Sequence, residues 1–510
     1  MSLETMSAIH KKLNGDLPIL VLPVASEDRN VSDFAAELGA LIKNYPLFLK
    51  GEEVVEARPT GELFPMNPDR FCTWVEQYVR TCAIHDLKKT MSRQTAVMVL
   101  KSPAFHAHLR IVERSVCAGS PAWGKDKELR FLCAGYDAET RCYVTGPDDY
   151  RDEIKSVEEA REYLHDLYSE FKFQDESKSL AVTIGSLLTP YALLLMPKTT
   201  DYPVFVFNAN DKQAWKTTAA GVTCYTAFGE FVPTDWPAGK EAKVEAQKKI
   251  FAAALVSKPY MVFDNVDGRV TSGALASILT SGEKFNGREL GASRNADVKK
   301  PLFYFTGNGM IVDRDLLDRF LFVELFRKEP PGVRCFKRSL TYADILARRR
   351  AILACCWRLV AAWVDAGRPA SPEAGDRFND WRRCVGGIVH FNGFGDPFEQ
   401  VKLPHADPTE DEDLVAGIAA MQLGTPYLID ALLDLWQPLG LFESRLRDRA
   451  AGDTRAARSV SSWAGKLMAR AVARVWGGRM LTRSPGRAKT YTATIEEGCM
   501  VYGDSDIIPL

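Results

Sequence analysis

The chain has 510 residues, which sets an expectation of two to four domains. A hydrophobic fraction of 46% with 26% charged residues excludes a mostly disordered or collagen-like chain. Lys and Arg number 65 against 66 Asp and Glu, so a uniformly basic nucleic-acid coat is excluded while a local basic patch is not.

The first segment, MSLETMSAIHKKLNG, has no apolar signal core, and the longest apolar runs, such as Tyr191–Met196, are far too short to span a bilayer. The expected location is cytoplasmic. The 11 Cys are scattered with no C-x-x-C pair, and Cys355-Cys356 lies in an apolar helical stretch, so reduced, buried thiols are expected. His106 and His108 form an H-x-H without a nearby acidic or thiol partner and read as an ordinary pair. Leu129–Thr145 predicts two short strands around an Asp-Ala-Glu-Thr turn. Ser156–Phe173 predicts a helix: Ser156 can cap it, and Ala160, Leu164, Leu167 and Phe171 recur at helical spacing.

Residues 176–330 follow a different pattern. Tyr202–Asn208, Pro259–Val266, Pro301–Thr306 and Phe320–Phe326 are near-continuous apolar runs, the pattern of strands buried on both faces of a parallel sheet. Thr217–Ala227 and Gly239–Val256 between them read as helices. The alternation predicts an α/β three-layer domain. Residues 331–403 read as helical, with Tyr342–Ala366 carrying Ile345, Ile352, Leu353, Cys356, Leu359, Val360 and Trp363 before Gly367 and Pro369 stop it. An acidic linker at 404–413 follows. Residues 441–490 then hold 12 Lys or Arg against three Asp or Glu, a local excess that the near-neutral total hides. Here Ser459–Trp476 predicts an amphipathic helix with Trp463, Leu467, Ala471 and Val475 on one stripe. Arg479–Arg483, a Ser-Pro-Gly turn and Ala488–Ile495 predict a basic two-stranded ribbon, a winged-helix pattern with Arg483, Arg487 and Lys489 against phosphates. The plain alternative is a solvated basic face.

The strand Tyr202–Asn208 runs through Asn210-Asp211-Lys212-Gln213-Ala214-Trp215 into Lys216-Thr217-Thr218 and a helix. That layout is the one in which backbone amides cradle phosphates, a Lys neutralises the β/γ charge and a hydroxyl holds Mg²⁺. Asp264 is expected to end a buried strand, where it can hold Mg²⁺, and Asn308 to end the next, where it can orient a water. Each feature alone also reads as a cap or an ordinary turn.

The runs VFDNVDG (262–268), ILTSGEKFNGRELGASR (278–294), FTGNG (305–309) and RDLLDRF (314–320) resemble the AAA+ core of primase/helicase-type replication proteins of bacterial mobile elements. They are more distantly similar to minichromosome-maintenance-like and superfamily 3 helicases. LFLKGEEVVEA (47–57), CAGYDAETRCYVTGP (133–147) and SVEEAREYLHDL (156–167) resemble the family's N-terminal part, and 358–389 its lid. The resemblance implies an N-terminal α+β region over 1–175, an AAA+ P-loop core over 176–330, a helical lid over 331–403 and a winged-helix DNA-binding domain over 404–510.

By position it implies that Lys216 and Thr217, with Asn210, Trp215 and Thr218 around them, bind ATP. Thr217 and Asp264 would hold Mg²⁺, Asn308 would be the sensor-1 residue, and Arg319 an arginine finger reaching a neighbouring subunit of a homo-oligomeric ring. A hairpin over Lys284–Lys300, with Lys284, Arg288, Arg294, Lys299 and Lys300, would grip single-stranded DNA. The implied function is a DNA-dependent, helicase-like ATPase in mobile-element replication. The loop departs from P-x-x-G-x-G-K-T, however. A β-carbon costs about 1–2 kcal/mol per left-handed residue, and Trp215 is not expected to adopt such angles readily. Weak, altered or absent ATP binding is therefore expected, and the alternative is a non-hydrolysing oligomeric DNA- or partner-binding protein of the same fold.

Overall fold

The computed structural model describes residues 17–23, 30–83, 89–147, 149–209, 215–237, 242–270, 273–282, 284–288, 295–312, 314–326, 340–372, 377–399, 410–442, 446, 454–472, 475–476, 479–485 and 489–495. The chain divides into two compact units, Met1–His405 and Ala406–Leu510.

At the centre of the first unit is a five-stranded sheet. Its strands in chain order are β1 (Val204–Ala209), β2 (Pro233–Thr234), β3 (Tyr260–Val270), β4 (Leu302–Val312) and β5 (Phe320–Leu325), and their order across the sheet is β2-β3-β4-β1-β5. Every neighbouring pair is parallel. The four apolar runs are thus strands of one parallel sheet, as their burial on both faces predicts. The two-residue edge strand β2 was not legible, because Pro233-Thr234 carries no apolar run.

Alternation along the strands sorts side chains into two layers. Phe205, Phe207, Val262, Tyr304, Leu321 and Val323 pack on one face with the helices Glu176–Tyr191, Lys216–Phe228 and Tyr342–Asp365. Val204, Val206, Met261, Phe263, Phe303, Phe305 and Phe322 pack on the other with Ala242–Leu255 and Gly273–Leu279. Each fully buried Phe or Val contributes roughly 1.5–3 kcal/mol of transfer free energy. Trp381, fully buried, joins the helical layer to the sheet: its ring lies 6.2 Å from Phe205, and its indole N–H donates to Thr189 Oγ1 at 2.8 Å. The Tyr342 helix starts at a capping box between Thr341 and Asp344. Cys355 and Cys356 sit buried within it, and burial pushes the Cys355 thiol up to about 12.

The N-terminal part of this unit is mixed. A four-stranded sheet (Leu47–Lys50, Glu53–Ala57, Leu63–Pro65, Arg110–Ile111) is accompanied by helices Val31–Ile42, Pro68–Val75 and Arg93–Leu100. Leu129–Thr145 holds three strands rather than two. Leu129–Leu132 turns away to pair with Ser120–Trp123, while Gly135–Asp137 and Cys142–Val144 form the hairpin. The Asp-Ala-Glu-Thr turn is where it was expected, fixed by Asp137 Oδ2 accepting from Thr140 N at 2.8 Å and Oγ1 at 2.7 Å. The predicted Ser156 helix runs over Val157–Tyr168, with Ser156 Oγ accepting from Glu159 N at 3.1 Å. His106 is held by Leu100 O, 2.7 Å from its Nε2.

The second unit has helices Glu410–Ala419, Ile429–Trp436 and Thr454–Ala471 and an antiparallel sheet whose central pair is Arg479–Arg483 with Tyr491–Ile495. Two boundaries shift from expectation. The acidic stretch ends in a helix that starts at Glu410. The basic helix stops at Ala471, not Trp476, and Val475–Trp476 is a strand paired to Arg479–Met480. The buried stripe is Val460, Ala464, Leu467, Met468 and Ala471. Among the described residues, no helix is long and apolar enough to cross a membrane.

Candidate functional site

Five parallel strands put all their carboxyl ends on one edge of the sheet. From β1 the chain crosses to the far edge at β2, returns through β3 and β4 to lie beside β1, and then passes to its other side at β5. β1 is therefore the switch point, and open α/β sheets bind ligands in the crevice outside the carboxyl ends at such a point. The helix that follows β1 begins at Lys216 beside this edge.

Trp215 precedes that helix in a left-handed conformation, φ 65° and ψ 22°. Trp215 was not expected to take such angles readily; it takes them here, and its side chain is 37% exposed. Lys216 is only 7% exposed. Asn210 lies outside the described residues.

Asp264 does not end its strand. Phe263 pairs with Phe305 and Val266 with Gly307, so Asp264 and Asn265 together oppose Thr306. This is a bulge, with Asn265 at φ 51°. β3 and β4 run on as a pair beyond it, and Asn308 likewise lies within a strand rather than at its end. Gly307 permits the pairing, because a β-carbon there would stand 2.7 Å from Val266 O.

The bulge gathers polar groups. Asp264 Oδ1 accepts from Thr217 Oγ1 at 3.0 Å and from Thr306 Oγ1 at 2.5 Å. Thr306 Oγ1 in turn accepts from Asn265 N at 3.0 Å, and Asn265 Nδ2 donates to Asp264 Oδ2 at 3.1 Å. Asn208, fully buried near the end of β1, donates to Glu324 Oε2 at 3.1 Å and accepts from Met310 N at 3.0 Å. The Oδ1 of Asn308 is buried without a hydrogen-bond partner among the described residues. Thr306, Asn208 and Glu324 escaped sequence reasoning. The available signal was a polar residue inside each otherwise apolar run.

Thr217 and Asp264 thus meet, at the start of a helix and beside a buried Lys. A hydroxyl and a carboxylate side by side are hard oxygen donors of the kind Mg²⁺ takes, and a helix start offers amides to phosphate. The residues present fit a Mg-nucleotide. Thr218 lies in the first turn, half-buried.

Arg319 is elsewhere. It immediately precedes β5, at the amino edge of the sheet, where its carbonyl accepts from Val204 N at 2.8 Å. Its side chain is 13% exposed and paired with Asp318 at 3.2 Å, and Asp318 also meets Arg377. Lys284–Arg288 and Asn295–Lys299 form an antiparallel hairpin between β3 and β4. Lys284 is exposed, the backbone of Arg288 is in the first strand, and Arg294 lies outside the described residues. In the second unit Arg483 and Lys489 are exposed at the open end of the ribbon, and Arg487 lies outside the described residues. Arg479, by contrast, points inward and donates to Met421 O at 2.6 Å, satisfying a carbonyl just past a helix end.

No family model and no curated protein matches the chain. Among solved structures, it is similar to the NrS-1 C-terminal region in its apo A form at 12% identity and TM-score 0.42, covering 92% of this chain and 100% of that one. It is similar to "SCCmec type IV Cch - active helicase" at 11% identity and TM-score 0.32, covering 80% and 84%. It is also similar to JCV Helicase with a bound phenylacetamide compound, at 17% identity and TM-score 0.20, covering 48% and 69%.

Proposed function

We propose that the chain is an AAA+-type, DNA-dependent, helicase-like ATPase of mobile-element replication. The observation that carries this reading is the meeting of Thr217 and Thr306 on Asp264 at the carboxyl edge of a parallel sheet, beside Lys216 and at the strand-order switch. Lys216 would neutralise the β/γ-phosphates, and the amides at the start of its helix would cradle them. Mg²⁺, held by Thr217 and Asp264, would supply charge neutralisation at the transferring phosphoryl. Thr306 keeps the Asp264 carboxylate oriented, and the buried, unpartnered Oδ1 of Asn308 would accept from an attacking water admitted with the nucleotide. Arg319, at the opposite edge, suits a role in a neighbouring subunit's site, provided its pairing with Asp318 gives way. The second unit's three helices and antiparallel ribbon support a winged helix, with Arg483 and Lys489 meeting DNA phosphates.

Direct titration of Mg-ATP tests the nucleotide site. The parent should bind, Lys216→Ala should lose about tenfold or more in affinity, and equal binding by both contradicts the assignment. A second reading, a non-hydrolysing scaffold of the same fold, is favoured by one observation: the residue after Asp264 is Asn265, whose amide is bonded to that carboxylate and supplies no base. Binding without turnover would select it.

A further inference from the structure

Asn208 is the single polar residue of β1, and it is fully buried. It follows Val204 and Val206 on the face that packs with Ala242–Leu255. Glu324 follows Phe320 and Phe322 on the same face of β5, and the two strands pair Asn208 with Glu324. A buried amide in an apolar layer is costly unless its donors and acceptors are met. Asn208 Nδ2 donates to Glu324 Oε2 at 3.1 Å, and its Oδ1 accepts from Met310 N at 3.0 Å. Met310 is fully buried and lies beyond the last residue that β4 pairs with β1, which is Asn308 opposite Ala209. On the other side of β4 the ladder with β3 shifts between Asp267 and Arg269. The Asn208 side chain therefore stands in for a missing strand at this amide. Glu324 is itself fixed: its N–H donates to Ser179 Oγ at 3.0 Å, and its carbonyl accepts from Gln174 N at 2.8 Å.

The segment so held carries Asn308, two residues before Met310, with its Oδ1 buried and without a hydrogen-bond partner among the described residues. That oxygen orients a water only if its strand stays in place, and a misplacement of about 1 Å can cost about a hundredfold in rate. The main chain of β1, by contrast, is paired on both sides through Ala209. Loss of the Asn208 amide thus loosens the Asn308 segment and leaves the approach to Lys216 seated. We propose that Asn208, braced by Glu324, is a positioning residue that sets Asn308 against the attacking water. This inference rests on the reading of the Lys216 edge as a Mg-nucleotide site. Asn208 acts through Asn308 and not on the nucleotide.

The test uses the full chain and a hydrogen-bond swap. Asn208→Asp sets two carboxylates face to face and takes away the donor to Glu324. Combined with Glu324→Gln, it meets a new donor, and the pair is restored with its roles reversed. Asn208→Asp should lower Mg-ATP hydrolysis at saturation by about tenfold or more, with the Kd for Mg-ATP changed less than about threefold. Glu324→Gln alone should cost less, because its amide oxygen can still accept from Asn208, and the double variant should recover most of the rate. Exchange of the Met310 amide should speed up in Asn208→Asp and slow again in the double variant. Asn208→Ser, too short to reach Met310, carries the test if Asn208→Asp does not fold, and should show the same split of rate from affinity. Equal turnover in the parent and Asn208→Asp, a Kd that rises as far as the rate falls, or a double variant no better than Asn208→Asp overturns the inference and leaves the Lys216 site standing. A parent that hydrolyses no Mg-ATP removes that reading and this inference with it.

Discussion

Asp264 and Thr306 are a coupled pair, and their chemistry sets the first expectation. Thr306→Val removes the donor to Asp264 and the acceptor for Asn265 N. It should cost about 0.5–1.5 kcal/mol of stability by denaturant melting, since two partly buried hydrogen bonds are lost. Trp215 was legible as a departure from a glycine loop, but its backbone state was not. Propensity argues against left-handed Trp, yet Trp215 takes that conformation immediately before the Lys216 helix. Trp215→Gly should release about 1–2 kcal/mol of left-handed strain, and the melting transition of the variant checks this. Lys50 titrates in a distinctive window. Its folded-state value, about 8, lies below the ordinary 10.5, so the folded protein gives up that proton earlier than the unfolded chain. The resulting penalty is fully present below pH 8 and fades as pH rises toward 10.5. Lys50→Met should therefore stabilise most at pH 7, by up to about 3 kcal/mol, with the difference from the parent shrinking by pH 10. A pH-independent difference contradicts the buried charge.

At the scale of elements, sequence periodicity located the four apolar strands, the Lys216 helix and the Tyr342 helix within a few residues. It misjudged strand ends. A bulge carries no composition of its own, so the continuation of β3 past Asp264 and of β4 past Asn308 was invisible. The two-stranded ribbon of the second unit was visible because alternation and a Ser-Pro-Gly sequence are both local signals, whereas the stop of the preceding helix at Ala471 depends on packing. The hairpin Lys284–Lys299 docks through Phe285, 6.1 Å from Phe251 ring to ring, and Gly287 closes against the same ring. A β-carbon there would stand 2.2 Å from Phe251, so Gly287→Ala should displace the hairpin at a cost of about 1–3 kcal/mol. Faster amide exchange across Asn295–Lys299 would register it, and unchanged exchange would contradict this docking.

For the whole molecule, the near-neutral charge of the sequence conceals two basic features set in different units: the side chains of Lys50, Lys198, Lys258, Lys299 and Lys300 around one cleft of the first, and exposed Arg483 and Lys489 in the second. If the latter meets DNA, replacing Arg483 and Lys489 by Gln should reduce the salt slope of binding by about 0.7–0.9 per lost phosphate contact. The central claim, however, is that the edge of the sheet at Lys216, Thr217 and Asp264 handles Mg-ATP. The most direct measurement is Mg-ATP hydrolysis by the full chain with and without single-stranded DNA, compared with Lys216→Ala and Asp264→Asn. The account predicts turnover that DNA stimulates and that both substitutions abolish. Hydrolysis of equal rate in parent and variants, or none in the parent under saturating Mg-ATP and DNA, would contradict it.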